Sequence, residues 1–261
     1  MEICLATIFG ILGAVIGSFL NVCVDRLPAS KSLIYPASHC DTCSRKLELQ
    51  DLVPILSYLA VKGRCRSCRA KIPKRVFWVE LGTGVFTALL FLYKGFSIEF
   101  AFIALFSYLY IVIALIDLHH KLILNKVIYP SLIAALIIAP FFIKQDTLGS
   151  NVVDYGITNA LIGGVTGFIF LLIPALVFRG GMGFGDIKMS TLIGLTTGFG
   201  EVLVALLLGI ILGGITGIIF LITGVKNRKE TIPFGPFLAL SAIVTLILGT
   251  DILSWYMSLF V

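Results

Sequence analysis

A succession of apolar runs, each about as long as a bilayer is thick, constrains this chain more than any other feature. Continuous apolar stretches lie near 3–22, 77–93, 98–116, 127–143, 157–178, 187–200, 201–224 and 233–255. Roughly 20 apolar residues cross a hydrocarbon core as a helix. Lipid offers the backbone no hydrogen-bond partner, so only helices or closed barrels span it. These runs are continuous rather than alternating, which predicts helices. Composition agrees, with 58% hydrophobic and 13% charged residues against about 25% charged in soluble domains. The expected fold class is an all-α polytopic membrane protein with about eight transmembrane helices. The run at 187–200 is the shortest and is rich in Gly and Thr. The first run lacks a basic leader and a small-residue cleavage site, so it is expected to be a retained span.

Between the first two runs lies a hydrophilic island, residues 25–76, holding 11 of the chain's 20 Lys and Arg. This divides the chain into a first helix (1–24), a small cytosolic loop domain (25–76) and a membrane core (77–261). Cytosolic loops carry an excess of cations. With the island inside and eight spans alternating, Lys121, Lys126, Arg179, Lys188, Lys226, Arg228 and Lys229 also fall inside, giving 11 + 7 = 18 of 20. Only Lys94 and Lys144 fall outside, and both termini are expected outside. The net charge of +6 is explained by insertion bias and anionic headgroups without nucleic acid. No repeat, low-complexity tract or long linker is evident.

Four cysteines stand in two pairs in the island, Cys40/Cys43 and Cys65/Cys68. Thiolates two residues apart bite one metal, and two such knuckles complete a tetrahedral zinc site. Neighbouring Lys and Arg favour the thiolate form. The alternative is two disulfides or free thiols; a cytosolic location argues against stable disulfides and favours zinc. Four thiolates close the coordination shell, so the zinc is expected to be structural. His39, beside Cys40, and the lone Cys4 and Cys23 receive no role.

Acids at the edge of membrane helices are costly and worth attention. Asp117 ends the third run in ALIDLHHK, and Asp186 follows a glycine-rich turn in RGGMGFGDIK. The topology puts both at the cytosolic face. Singly, Asp117 reads as a solvated loop acid and Asp186 as a first-turn acid favoured by the helix dipole. Together they read as a dyad in which one carboxyl holds a proton while the other is a base, able to activate water for peptide hydrolysis. Gly180, Gly181, Gly183 and Gly185 permit close backbone approach, or form a flexible turn. Lys188 either tunes Asp186 or anchors to headgroups. No Gly-x-Ser-x-Gly and no His-Glu-x-x-His is present, leaving serine and zinc proteolysis unsupported.

These residues resemble the type 4 prepilin peptidase family, also called prepilin leader peptidase/N-methyltransferase, through nearly the whole chain. GSFLNVCVDRLP at 17–28 is similar to its N-terminal signature, and residues 36–68 to its cysteine domain. KIPKRVFWVELGTG at 71–84 is similar to its return to the membrane, and IPFGPFLALSA at 232–242 to its C-terminal motif. Asp117 and Asp186 match the catalytic pair of this Gly-x-Gly-Asp class of aspartyl proteases. The resemblance implies cleavage of the basic leader from type 4 prepilins or pseudopilins at the cytosolic face of the bacterial inner membrane. It also implies methylation of the new N-terminus by S-adenosylmethionine. Gly63 matches a glycine linked to methylation, and Glu80, Glu48 and Asp51 are candidates to hold the donor's amino group. Leu52-Val53-Pro54 and Phe77-Trp78 depart from the family pattern on that side. The alternatives are a leader peptidase without methyl transfer, or a transporter or assembly scaffold with a structural zinc module.

Overall fold

The computed structural model describes residues 2–142, 156–177, 183–224 and 232–259. Gly180, Gly181, Lys144, Arg179, Lys226, Arg228 and Lys229 lie outside the described residues. Among the described residues nine α-helices follow in order: α1 (Glu2–Arg26), α2 (Leu56–Ala60), α3 (Lys74–Lys94), α4 (Ile98–His120), α5 (Asn125–Ile138), α6 (Gly156–Val177), α7 (Phe184–Thr197), α8 (Glu201–Ile222) and α9 (Gly235–Ser258). Short 3-10 turns sit at Leu49–Asp51 and Ala139–Phe141. No strand occurs among the described residues, only two isolated bridges.

Each expected run is largely helical where it is described, and among the described residues six helices are long and apolar enough to cross a membrane: α1, α3, α4, α6, α8 and α9. The other two, α5 and α7, have 14 residues each, or about 21 Å at 1.5 Å per residue, short of a core of about 30 Å. The reason is clearest for α7. Ile187, Met189, Ser190 and every residue from Leu192 to Thr197 are buried, so this helix is enclosed by protein and need not match the lipid. A helix buried on all sides tolerates Gly and Thr where their small volume admits a neighbour.

The chain forms two compact units, Met1–Ala104 and Leu105–Val261. In the first, α1 and α3 pack antiparallel. A Cβ at Gly13 or Gly17 would strike Thr87 or Thr83, so these glycines set the close approach of the two backbones. At the loop end, Asn21 donates from Nδ2 to the Val76 carbonyl (3.3 Å), and Arg75 donates to Asn21 Oδ1 (3.2 Å). Arg75 also makes a two-oxygen contact with Asp25 at 2.6 and 2.7 Å. This network gives the 17–28 signature a structural role. At the other end Phe9 stacks on Phe91 with ring centres 4.5 Å apart and meets Phe100 edge-on.

In the second unit α7 is the hub, packing on α5, α6, α8 and α9. Gly163 of α6 faces Gly194 of α7 with no room for a methyl group on either. One turn along, the Ser190 hydroxyl donates to the Gly167 carbonyl at 2.8 Å. Deep in the bundle the Tyr110 and Thr196 hydroxyls are 2.7 Å apart, joining α4 to α7.

Candidate functional site

Asp117 and Asp186 come from helices far apart in sequence and belong to the same unit. Asp117 lies in the last turn of α4 and is buried at 5% exposure. Its Oδ2 accepts the backbone N–H of Gly235 at 3.0 Å. Gly235 is the first residue of α9, so a free helix N-terminus, with its partial positive charge, points at the carboxylate. A Cβ on residue 235 would lie 2.7 Å from that oxygen; only glycine admits the contact. Asp186 is the third residue of α7, after the N-cap Gly183. Its carboxyl reaches back to the Gly183 backbone and lies within electrostatic reach of Asp117. Asp186 is thus both things the sequence allowed, a first-turn acid and a neighbour of Asp117.

The remaining residues of the expected loop divide by position. Gly185 packs directly on Ile123 of the α4–α5 connection, where an added Cβ would be 2.7 Å from the isoleucine Cβ. Lys188, two residues beyond Asp186, projects to the other side of α7. It donates to Asn125 Oδ1 at 2.7 Å and lies over the Tyr129 ring at 4.8 Å. Its charge is therefore held by α5. The segment joining α4 to α5 and the first residue of α5 both touch α7, through Ile123 and Asn125, and so link the ends of the two helices that carry the acids. Gly235, Ile123 and Asn125 escaped the reading from sequence. The Gly-Pro pair opening an apolar run at 235 signals a helix start, but nothing local says which acid that start faces.

The four cysteines of the first unit converge, with all four sulfurs within 4.8 Å of one another. The Cys40–Cys68 and Cys43–Cys65 sulfur pairs are 3.7 and 3.9 Å apart. A zinc–sulfur distance of 2.3 Å in a tetrahedron requires about 3.8 Å between sulfurs, so the cluster fits that metal. The pairing crosses between the two Cys-x2-Cys knuckles, as a shared ion needs and as disulfides within each knuckle would not.

The knuckles are copies of one another, offset by 25 positions (40 to 65). Cys40 N–H donates to Arg45 O and Cys65 N–H to Ala70 O, at 2.9 and 2.8 Å. Ser44 N–H donates to Cys40 O and Arg69 N–H to Cys65 O; both Ser44 and Arg69 have positive φ. Leu47 N–H and Ile72 N–H close the two loops on Ser38 O and Gly63 O. This corrects the expectation of no repeat: the duplication is one of backbone shape, which HCDTCSRK and RCRSCRAK only partly display. Backbone N–H groups of Cys68 and Ser67, more than neighbouring cations, pull Cys65 down to about 6. Those of Cys43 and Thr42 lower Cys40. Arg45 ties the copies together, donating to Ser67 Oγ (2.8 Å) and Glu48 (2.6 Å), while Asp51 accepts from Arg66 (2.5 Å).

Gly63 and Glu80 connect this cluster to the membrane helix. Glu80, buried in α3, accepts the Ile55 N–H at 2.7 Å and a hydrogen bond from Ser18. Ile55 begins α2, whose Tyr58 ring covers Gly63. Gly63 has φ +66, and a Cβ there would lie 2.8 Å from the tyrosine oxygen. Gly63 then carries the second knuckle through its bond with Ile72. Glu80, Glu48 and Asp51 are all engaged by the protein itself, so no methyl-donor contact is assigned to them.

Comparison with known proteins gives the class of this bundle of apolar helices, a membrane-embedded peptidase, and its family. The Bacterial Peptidase A24 N-terminal domain matches residues 11–94, and the Type IV leader peptidase family matches residues 103–218. The chain is 32% identical over 256 residues to a prepilin leader peptidase/N-methyltransferase of Bacillus subtilis, covering 97% of this chain and 98% of that protein. It is 30% identical to that of Pseudomonas aeruginosa (95% and 91% covered) and 28% identical to that of Stutzerimonas stutzeri (95% and 92%). No solved structure matches. The chain belongs to the Type IV leader peptidase family.

Proposed function

We propose that this protein removes the leader from type 4 prepilins or pseudopilins with Asp117 and Asp186, and methylates the new N-terminus. The observation that carries the reading is the pairing of two acids from α4 and α7, one of them buried against the N-terminus of α9. Two carboxyls that occupy one site cannot both ionise easily, so in this reading they share a proton. One deprotonates a water, and the other donates to the scissile carbonyl and then to the leaving amine. Gly235 holds Asp117 in place, and Gly183 does the same for Asp186.

The names of the relatives support the substrate and the second reaction. S-adenosylmethionine is the methyl donor in this reading and supplies an electrophilic methyl group to the amine. Cys40, Cys43, Cys65 and Cys68 would hold a structural zinc, which fixes the two knuckles and takes no part in hydrolysis. The membrane is the bacterial cytoplasmic (inner) membrane. The 25–76 domain and the acid pair lie on its cytosolic side, with both termini outside; the distribution of cations supports this sidedness. The core at 77–261 carries the peptidase.

The test is leader removal from a prepilin in proteoliposomes. Asp117→Asn and Asp186→Asn should each lower the rate on the order of 10³-fold, within the range general acid–base groups contribute, with membrane insertion unchanged. Cleavage at the normal rate in either variant rejects the dyad.

A further inference from the structure

The cysteine module stands on α2, and one face of α2 is exposed among the described residues. Tyr58 points inward, with its ring 5.4 Å from Phe77 of α3. Leu56, Leu59 and Ala60 share the opposite face, and the two leucines are 65% and 55% exposed. Leu52 and Val53 extend this apolar surface along the chain, and Trp78, 64% exposed, meets edge-on the Phe77 ring that Tyr58 also touches.

The height of this surface follows from Glu80. That residue lies six positions beyond Lys74, about 9 Å along the α3 axis, and helical side chains reach back toward the helix start. The turn it holds through Ile55 N–H therefore sits beside the first two turns of α3. For a helix that crosses the bilayer, that level is the headgroup–acyl boundary. Tryptophan is favoured there, and lysines and arginines flank it. Exposed Lys62 and Arg64 follow α2 closely in the chain and exposed Lys74 opens α3, cations complementary to anionic headgroups.

We propose that the face formed by Leu52, Val53, Leu56, Leu59 and Trp78 is a membrane-interface anchor, embedded in the lipid into which α3 inserts. The partner is the bilayer itself. The anchor sets the height of the metal cluster, because α2 carries Gly63, and Gly63 carries the second knuckle. Its consequence for methyl transfer rests on the function proposed above, whereas its depth does not, so the two failures are distinguishable.

The chain has two tryptophans, Trp78 and Trp255, which makes the depth measurable. The full-length W255F protein, and W78F/W255F/L59W, are reconstituted in phosphatidylcholine–phosphatidylglycerol vesicles brominated at shallow or deep acyl positions. Both fluorophores should lose most of their emission to shallow bromines and little to aqueous iodide. Iodide quenching without bromine quenching overturns the proposal in favour of a solvated face. Quenching by neither overturns it in favour of a protein cover. In a second arm, L56S/L59S removes two side chains whose apolar burial is each worth a tenfold shift or more. Methyl transfer should fall about tenfold or more, proteolytic nicking within 49–62 should rise, and leader cleavage should persist. Unchanged nicking and methyl transfer would overturn the anchor whatever the fluorescence shows.

Discussion

The two units solve the problem of holding charge in opposite ways. In the first, four thiols sit in exposed loops and are organised by local backbone turns, each knuckle closing on itself within eight residues or so of its first cysteine. In the second, two carboxyls are brought together by helices from distant parts of the chain and oriented by helix N-termini. A local site exposed to water depends on its metal for rigidity, because its own core is too small. A site inside a helix bundle gets its rigidity from packing and needs no metal. The two should therefore fail independently, and each variant below is a way to break or sharpen that division.

The largest effect after loss of an aspartate is expected from Gly235→Ala. The methyl group would push on the Asp117 carboxylate, 2.7 Å from its Oδ2, in a place where neither helix can easily yield. A displacement of about 1 Å of a catalytic group costs on the order of 10²-fold in rate, so kcat for leader cleavage should fall by about that factor. Metal content and methyl transfer to a pre-cleaved pilin should be unaffected. Equal losses in both reactions would break the division.

Cys65→Ser tests the other side. Metal binding in such small modules supplies most of the folding free energy, about 10 kcal/mol or more. The variant should lose its metal by elemental analysis, and residues 36–72 should become protease-sensitive. Methyl transfer should be lost with the module, and leader cleavage should stay within a few-fold of the parent. Cleavage that disappears together with the metal would show that the peptidase depends on the cluster.

How much of this was legible in the sequence follows the same line. The cysteine cluster could be read because its thiols are paired at the short spacing that metal knuckles use, and a local pattern needs no tertiary information. Among the described residues the six spanning helices could be read because lipid forces long apolar runs, and the two shorter helices because they too are apolar. The run at 187–200 already read as short, but the shortness of α5 could not be seen, since hydropathy does not tell lipid from protein as the surrounding medium. The expectation that Asp117 acts with Asp186 came from topology, and Gly235 was missed because its contact exists only where α9 meets α4. The duplicated knuckle was hidden for a related reason. Its repeat is carried by backbone hydrogen bonds and by positive φ at Ser44 and Arg69, which side-chain identity only weakly encodes.

A smaller effect is expected from Gly63→Ala. A left-handed φ costs an L-residue about 1–2 kcal/mol, and the added methyl would displace the Tyr58 ring. The module should become more protease-sensitive while retaining its metal, and methyl transfer should fall several-fold with cleavage intact. If cleavage changes more than methyl transfer, the path from Glu80 through α2 to the second knuckle is not what Gly63 serves.

The smallest effect, and the finest test of the second unit, is Lys188→Met. If Lys188 tuned the acid pair, its loss would shift the pH optimum of cleavage. The geometry opposes this, since its ammonium is bound to Asn125 and stacked on Tyr129, on the side of α7 away from Asp186. A hydrogen bond to a charged group contributes about 1.5–3 kcal/mol, and partial exposure reduces that. The expected result is a fall in kcat of about tenfold, roughly 1.4 kcal/mol, with KM and the pH optimum unchanged. Lys188→Arg, which can still donate to Asn125 and stack on Tyr129, should recover most of the loss. A rise in KM alone would instead put Lys188 against the substrate. A shifted pH optimum would put it in the electrostatics of the dyad, and the contact between α5 and α7 would then be incidental to catalysis.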